Sequence, residues 1–406
     1  MGVEARLATL FRALCLALTG RGAEVDWAAF SASEWGALVQ IAQDQGVAPL
    51  LYRTFTDDVW PSNIPAKLCS FLETAYYTSA AQNALLYGEL ERILAGLGEA
   101  GIRVILLKGA ALAVNLYPDI AVRPMHDLDL MVRKEQLSQA IARLAASGYH
   151  SEAEWTAPEI RRGYRDLFFF EANLDRDWPP PVHVELHWSL NSGEASYYYP
   201  DIAWFWQRVE TAATDNFISN QTQVTYLLNP TANTLFLAAH LMLKHGLFKH
   251  GISRARLIWS YDLHLIISQY SEQIDWRSMA QAALRFNWSH AVQAALQNTR
   301  KLFDTRLPEG VLEQFAAAQD RRSQRLEKRR ARPVQTRLLN TLDDLSMIRW
   351  RWRLWLLGCL FFPDRDYMIW RYRIHPVTLW PAYYPYRWLD VLRDAVQTLS
   401  KVTQTT

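Results

Sequence analysis

The chain has 406 residues, of which 50% are hydrophobic and 21% are charged, a composition typical of a globular protein with two or three domains. Its formal net charge of +2 argues against a dedicated nucleic-acid binder, because such proteins carry a strongly basic face. The cysteines, Cys15, Cys69 and Cys359, are far apart and odd in number, which argues against a disulfide framework or a zinc site.

The apolar start of the chain has two possible interpretations, a signal peptide or a first helix. Glu4 dilutes its basic character, Arg12 interrupts the apolar run, and no small-residue cleavage site follows, so we favour an amphipathic helix. The longest later apolar run, residues 354–362, is far shorter than the ~20 residues that a membrane-spanning helix needs. We therefore expect a cytoplasmic protein without a membrane span.

Helical periodicity continues through most of the first hundred residues. The segment Ser31-Ala-Ser33 offers an N-cap for one helix, and Pro65 opens a longer helix that ends at Gly98 or Gly101. We assign residues 1–100 to an N-terminal helical region.

The pattern changes after residue 100. Short apolar runs typical of buried strands follow at residues 103–107, 127–132, 167–172 and 182–188. A helix is predicted between the second and the third run, over residues 135–147. This order predicts an α+β protein whose small mixed sheet occupies residues 101–200.

Helices return from Asn229 onward and continue to the end of the chain. We expect residues 201–320 to form a helical domain that closes a cleft beside the sheet. Residues 333–406 are expected to form an aromatic and arginine-rich helical region. The arginine-rich segment 321–332 is predicted to be an exposed connection. The run WRWRLWLLGCLFF is typical of nucleic-acid or membrane-surface binding, or of a helix packed by its apolar face, and we favour the packed helix.

Two aspartates separated by one residue begin the second predicted strand. Successive side chains of a strand point to opposite faces, so Asp127 and Asp129 project together while Leu128 and Leu130 face a core. Paired carboxylates are the hard oxygen ligands that Mg²⁺ prefers. The alternative is a solvated pair or a turn cap, but the apolar neighbours favour a metal site.

A third carboxylate lies on the last predicted strand of this unit. Alternation places Glu185 on one face with His183 and His187. A buried carboxylate needs a partner, and two Mg²⁺ ions shared with Asp127 and Asp129 would supply it. The competing interpretation is a His-x-Glu-x-His site for zinc, since imidazole suits that metal.

Three residues upstream of the aspartates are candidates for phosphate binding. Gly109 follows a strand and precedes a helix, where backbone N–H groups can approach an anion. Lys108 adds a point charge for a phosphate, and Arg123 can grip phosphate oxygens. The alternatives are an ordinary turn and a surface arginine.

A further cationic group is predicted in the helical part of the chain. His240, Lys244 and His245 lie on one predicted helix and Asp262 on the next, with His240 and Lys244 on the same face. They form either a solvated face or a lid that brings cations, Lys244 above all, to the triphosphate of a bound nucleotide.

These segments together resemble the uncharacterised nucleotidyltransferase family of the DNA-polymerase-β-type superfamily. The resemblance covers most of the chain and is carried by WGALVQIAQDQGVAPLLY, LLKGAALAVNLYPD, the R-x-x-x-D-L-D-L-M-V block, ASGY, VELHWSL, HLMLKHG with IWSYDL, and the late FFP segment ending in YRWLD. The central block is its specific part.

The resemblance implies a minimal nucleotidyltransferase fold in which Asp127, Asp129 and Glu185 are the catalytic, metal-binding carboxylates. The superfamily has a Gly-Ser pair before the aspartates, and here Lys108-Gly109-Ala110 stands in its place with a longer gap to Asp127. The implied reaction is Mg²⁺-dependent transfer of a nucleoside monophosphate from an NTP such as ATP to a hydroxyl of a small molecule, peptide or protein. The alternative is an inactive nucleotide-binding module that acts through a partner protein.

Overall fold

The computed structural model describes residues 3–151, 158–177, 181–211, 225–245, 255–317, 321–330, 343 and 345–403. The chain begins with four helices, α1 (Val3–Leu18), α2 (Ala32–Asp44), α3 (Ala48–Asp57) and α4 (Ala66–Glu99). The Ser31 side chain accepts a hydrogen bond from the Glu34 backbone, and the Glu34 carboxylate accepts one from the Ser31 backbone. This capping box, and the start of α4 directly after Pro65, confirm the predicted helix starts.

The sheet contains seven of the described strands and extends beyond the predicted unit. Its strands are β1 (Ile105–Leu106), β2 (Asp127–Met131), β3 (His150–Ser151), β4 (Glu171–Arg176), β5 (Val182–His187), β6 (Val209–Thr211) and β7 (Tyr226–Leu228). Their order is β3-β4-β5-β2-β1-β7-β6. The pairs β2–β5 and β1–β7 are parallel, and the other neighbours are antiparallel. The sheet is therefore mixed, as predicted.

The remaining helices follow or interrupt the strands. They are α5 (Lys108–Asn115), α6 (Leu137–Ala146), α7 (Tyr164–Phe168), α8 (Ile202–Trp206), α9 (Pro230–His240), α10 (Leu257–Tyr270), α11 (Trp276–Arg285), α12 (Ser289–Phe303), α13 (Val311–Ala317), α14 (Arg321–Arg330), α15 (Trp350–Phe361), α16 (Arg365–Tyr372) and α17 (Tyr384–Thr403). A π-helical turn, Leu241–His245, continues α9. None of the described helices is long and apolar enough to span a membrane.

The prediction of a strand over residues 167–172 is wrong in its first half. Gly163 is left-handed, with φ 81°, and caps the short helix α7, in which the Tyr164 and Phe168 rings lie 5.0 Å apart. The strand β4 begins only at Glu171. A short aromatic run is compatible with either structure, and here packing of the two rings on one helical face decides between them.

Two predictions for the C-terminal part also need correction. The arginine-rich segment forms the helix α14, with Ser323 and Leu326 buried, rather than an exposed connection, and residues 331 and 332 lie outside the described part. The helix α15 forms, but Trp350 and Leu354 remain 74% and 65% exposed. Its apolar residues are therefore only partly covered by the described chain.

Two apolar cores lie on opposite sides of the sheet. One joins the second half of α4 and α6 to the sheet. The other contains α1–α3, α9–α13 and the residues Ile105, Leu107 and Met131. The two predicted helical regions, 1–100 and 201–320, are thus packed together, and the Tyr261 hydroxyl donates a hydrogen bond to the Leu18 carbonyl across their boundary (2.9 Å).

Candidate active site

Strand register brings the predicted carboxylates to one edge of the sheet. In the parallel pair β2–β5, Asp129 lies opposite Glu185 and Asp127 lies opposite His183. Strand β1 runs antiparallel to β2, so the chain that leaves β1 reaches Lys108 at the end of the sheet where β2 begins. Strand β2, strand β5 and the chain that follows β1 therefore meet at this edge of the sheet.

Lys108 connects the two facing carboxylates. Its Nζ lies 2.5 Å from Asp129 Oδ1 and 3.0 Å from Glu185 Oε2. The side chain is only 17% exposed. Burial lowers the pKa of Lys108, but the charges of Asp129 and Glu185 outweigh burial and raise it above its ordinary value. The group is therefore a buried ammonium between two carboxylates.

His187 extends this group of charges along the sheet. Its Nε2 lies 3.0 Å from Asp129 Oδ1 and 3.4 Å from Glu185 Oε2, and its Nδ1 lies 3.4 Å from Glu171 Oε2. Lys244 Nζ contacts Glu171 Oε1 at 3.0 Å. Basic side chains thus alternate with carboxylates from Lys108 to Lys244.

Negative charge is concentrated around the start of β2. Burial, followed by the charges of Asp129 and Glu185, raises the pKa of Asp127 to about 6. Burial also acts to raise the pKa of Glu185, but the hydrogen bond from His187 and the charge of Lys108 hold it well below its usual range. A cation bound here would relieve the repulsion that Asp127 experiences.

The donor atoms suit a divalent metal ion. Ligand atoms of Asp129, Glu185 and His187 all lie within 4.8 Å of one another. The two carboxylates suit Mg²⁺ or Mn²⁺, whereas the imidazole nitrogen suits zinc and other transition metals. Glu171 Oε2 and His187 Nδ1 are buried and form no hydrogen bond in the described part of the chain, although they lie 3.4 Å from each other. The residues present therefore fit a metal ion.

The ligand group differs from the predicted one. Asp127 shares a strand with Asp129, but its carboxylate is outside the group of atoms that approach within 4.8 Å. His183, part of the alternative zinc site, contacts Asp175 Oδ1 at 2.7 Å instead. The structure thus brings together Asp129, Glu185 and Lys108, adds His187, and places Asp127 beside them.

Arg123, predicted to bind phosphate, is engaged elsewhere. Its guanidinium is 8% exposed and pairs with both carboxylate oxygens of Asp262, at 2.8 and 3.3 Å. The Tyr117 hydroxyl donates to the same carboxylate (2.6 Å). Arg123 therefore joins the sheet unit to α10, and its charge is already balanced.

Gly109 has a packing role in the structure. A Cβ at this position would lie 2.9 Å from Met125 Cγ and 3.0 Å from Arg123 Nη1, so these side chains would have to shift. Glycine thus lets these two side chains pack closely against the start of α5. A role of its backbone in phosphate binding stays a prediction.

The predicted cationic helix changes from α-helical to π-helical geometry after His240. After α9 the π-helical turn brings together residues five positions apart, so His240 Nε2 lies 3.1 Å from His245 Nε2. His240 Nδ1 contacts Asn191 Oδ1 at 2.9 Å, and burial, followed by the charge of Lys108, holds the pKa of His240 well below its usual value. His240 is therefore neutral, and Lys244 supplies the charge.

The sequence interpretation did not assign His187 and Glu171 to this cluster. It allowed His187 as a zinc ligand or as a hydrogen-bonding neighbour, and it placed Glu171 in a strand whose predicted start is too early. The signal available for both was alternation, since in the β4–β5 pair Glu171 lies opposite His187 and Asn173 lies opposite Glu185.

The sequence of the chain matches a known protein family. A profile of the family described as uncharacterised nucleotidyltransferase matches residues 31–304. The chain belongs to this family. A crystal structure of an antigenic nucleotidyltransferase-like protein from Paracoccidioides brasiliensis is similar over 56% of this chain and 95% of its own, with 12% identity and a TM-score of 0.33. No curated protein matches the chain.

Proposed function

We propose that this nucleotidyltransferase moves a nucleoside monophosphate from an NTP to an acceptor hydroxyl and releases pyrophosphate. In this reaction the acceptor oxygen forms a bond to the α-phosphorus, and the bond from that phosphorus to the bridging oxygen breaks. The hydroxyl proton passes to a water molecule. The observation that carries the proposal is the pair Asp129 and Glu185, which face each other on adjacent parallel strands in a chain of this family.

The carboxylates are assigned to metal binding. Asp129 and Glu185, with Asp127 beside them, would hold two Mg²⁺ ions, and the hydrogen bond from His187 would keep the Asp129 carboxylate in place. Bound Mg²⁺ would neutralise charge on the phosphates and would lower the pKa of a coordinated hydroxyl. Glu185 belongs to the acceptor side because it lies on a different strand from the two aspartates.

The two lysines are assigned to the phosphates. Lys108 and Lys244 are the ammonium groups at the two ends of the charged row, and each now contacts a carboxylate. Both can donate to the triphosphate and to the leaving pyrophosphate, where charge accumulates in the transition state. Lys108 must exchange carboxylate partners for phosphate oxygens when NTP binds.

Substitutions of the carboxylates test this assignment. Asp129→Asn should weaken Mg·NTP binding at least about tenfold and reduce turnover, since Asp129 serves the nucleotide's metal. Glu185→Gln should leave binding nearly unchanged but reduce turnover about 100-fold or more, as expected for an interaction made mainly in the transition state. Binding is measured by calorimetry and turnover by pyrophosphate release.

Asp175→Asn provides a matched control, because Asp175 lies on the same sheet but contacts His183 outside the cluster. It should behave like the parent protein. Normal turnover of Glu185→Gln would make Glu185 structural and Glu171 the next candidate. Parental binding and turnover in all cluster variants would exclude this site as the active site.

A binding module without catalysis is the second candidate. The observation that favours it is Lys108, which balances the charge of both carboxylates without any metal. Such a module would bind NTP but would not consume it. Incubation of pure protein with labelled NTP and Mg²⁺, followed by mass spectrometry of candidate acceptors, separates the two functions, because only an enzyme produces a nucleotidylated product.

A further inference from the structure

A cavity of about 450 Å³ lies beside Asp127, between α4, the chain leading into β2, and the start of α10. Asp127 is the carboxylate that lines it, whereas Lys108, Asp129 and Glu185 do not. The cavity therefore meets the charged cluster only at the end where Asp127 lies. Its volume is within the range of pockets that hold small molecules, roughly 300–1,000 Å³.

The walls of this cavity are rich in uncharged polar groups. Gln43, Thr74, Thr78, Ser79 and Gln82 line it. Ser79 is only 5% exposed, and its Oγ has no hydrogen-bond partner in the described part of the chain. A buried hydroxyl without a partner is costly, so it is suited to a ligand that supplies one.

The charges of the walls do not suit a triphosphate. Two guanidinium groups, Arg123 and Arg256, line the cavity, but Asp262 already neutralises Arg123. One further arginine beside the carboxylate of Asp127 cannot balance the several negative charges of an NTP. The lysines assigned to the phosphates, Lys108 and Lys244, are outside the lining.

The aromatic residues of the cavity suit a ring. Trp259 and Phe71 are among its lining residues, and Phe71 is 42% exposed. Flat apolar surfaces combined with amide and hydroxyl groups recognise compounds that have both a ring face and hydroxyls at its rim.

We propose that this cavity binds the acceptor, and that the acceptor is a small, uncharged or singly anionic ring compound that carries several hydroxyls. The assignment rests on the proposed function, because it is the transfer reaction that requires an acceptor hydroxyl. Ser79 and the neighbouring amides bind the ring hydroxyls, and Arg256 accommodates an anionic substituent. The reacting hydroxyl passes Asp127 to reach Glu185, which is assigned to the acceptor side.

Filling the cavity tests this inference. Thr78 is an exposed lining residue on α4, so Thr78→Trp introduces a large side chain without disturbing a core. Ala84→Trp is the matched control, because Ala84 is exposed on the same helix but is not among the lining residues. The probes are myo-inositol and methyl glucoside, with butyrate as a carboxylate probe that lacks a ring and hydroxyls.

Saturation-transfer NMR should show both ring compounds, but not butyrate, bound to the parent and to Ala84→Trp. The signal should fall at least fivefold with Thr78→Trp. Ser79→Ala, a smaller change that keeps the fold, should weaken it about threefold. Calorimetry with a non-hydrolysable Mg·NTP analogue should give the same affinity for all four proteins.

Three results would overturn the inference: no ring compound binds the parent, binding is insensitive to both cavity variants, or Thr78→Trp abolishes nucleotide binding, which would make the cavity the nucleotide's. These measurements require no turnover. An inactive protein with the expected binding pattern would therefore refute the proposed function alone, and an active protein without the pattern would refute the cavity assignment alone.

Discussion

Lys108 is held in an unusual backbone conformation at the centre of the site. Its φ of 45° is in the left-handed region, which costs a residue with a side chain about 1 kcal/mol or more. The two carboxylate contacts of its Nζ offset this cost. The ammonium and a metal ion would thus compete for the same negative charge, which predicts opposite effects of Lys108 on metal and on nucleotide binding.

Lys108→Met should increase the affinity for Mn²⁺ alone by about tenfold or more, because Asp129 and Glu185 lose their internal counter-charge. The same variant should bind Mg·NTP more weakly, because a phosphate contact is lost. Free Mn²⁺ is measured by electron paramagnetic resonance and NTP binding by calorimetry. Lys134→Met, which removes an ammonium paired with Glu194, is the control. Unchanged or weaker Mn²⁺ binding by Lys108→Met would exclude competition between the ammonium and the metal.

At the scale of elements, a buried ion pair fixes α10 to the turn that precedes β2. Arg123 and Asp262 are 8% and 2% exposed, and Tyr117 adds a hydrogen bond to Asp262. Loss of one partner leaves a buried charge without compensation. Because the same turn leads to Asp127, the pair also determines where the first aspartate lies relative to the helical part.

Asp262→Ala should lower the free energy of unfolding by about 3–5 kcal/mol, since the Arg123 charge stays buried. The double variant Asp262→Leu/Arg123→Met should recover most of this loss, because neither charge remains. Urea unfolding followed by circular dichroism measures both. Asp275→Ala, which removes the N-cap of α11, is a control expected to cost about 1 kcal/mol. A loss near that of the control would show that water or another group compensates Arg123.

These elements also show how far the sequence could predict the site. Alternation predicted that Asp127 and Asp129 share one face of β2 and that Glu185 and His187 share one face of β5, because side-chain direction in a strand is a local property. The partner of Arg123 could not be predicted, since Asp262 lies 139 positions away and only tertiary packing brings it close. The π-helical turn after α9 was missed because the sequence pattern continues through it with ordinary helical residues.

At the scale of the whole molecule, the sheet depends on a strand beyond the predicted unit. Strand β7 pairs in parallel with β1, with Tyr226 opposite Ile105 and Leu227 opposite Leu106. Such a strand of three residues has too little sequence pattern to be recognised. One face of the sheet is covered by helices that precede it and helices that follow it in the chain, so residues of three predicted regions share one apolar core.

A fragment of residues 101–200 should therefore fail to fold alone. It would lack β7, which leaves β1 with one neighbour, and it would expose Ile105, Leu107 and Met131, which are 1% exposed or less in the whole chain. We expect no cooperative thermal transition by circular dichroism and a poorly dispersed amide NMR spectrum. The full chain, measured under the same conditions, is the control and should unfold cooperatively. A cooperative transition of the fragment would show that the sheet is an independent domain, and the carboxylate cluster would then be expected to bind Mn²⁺ in the fragment as well.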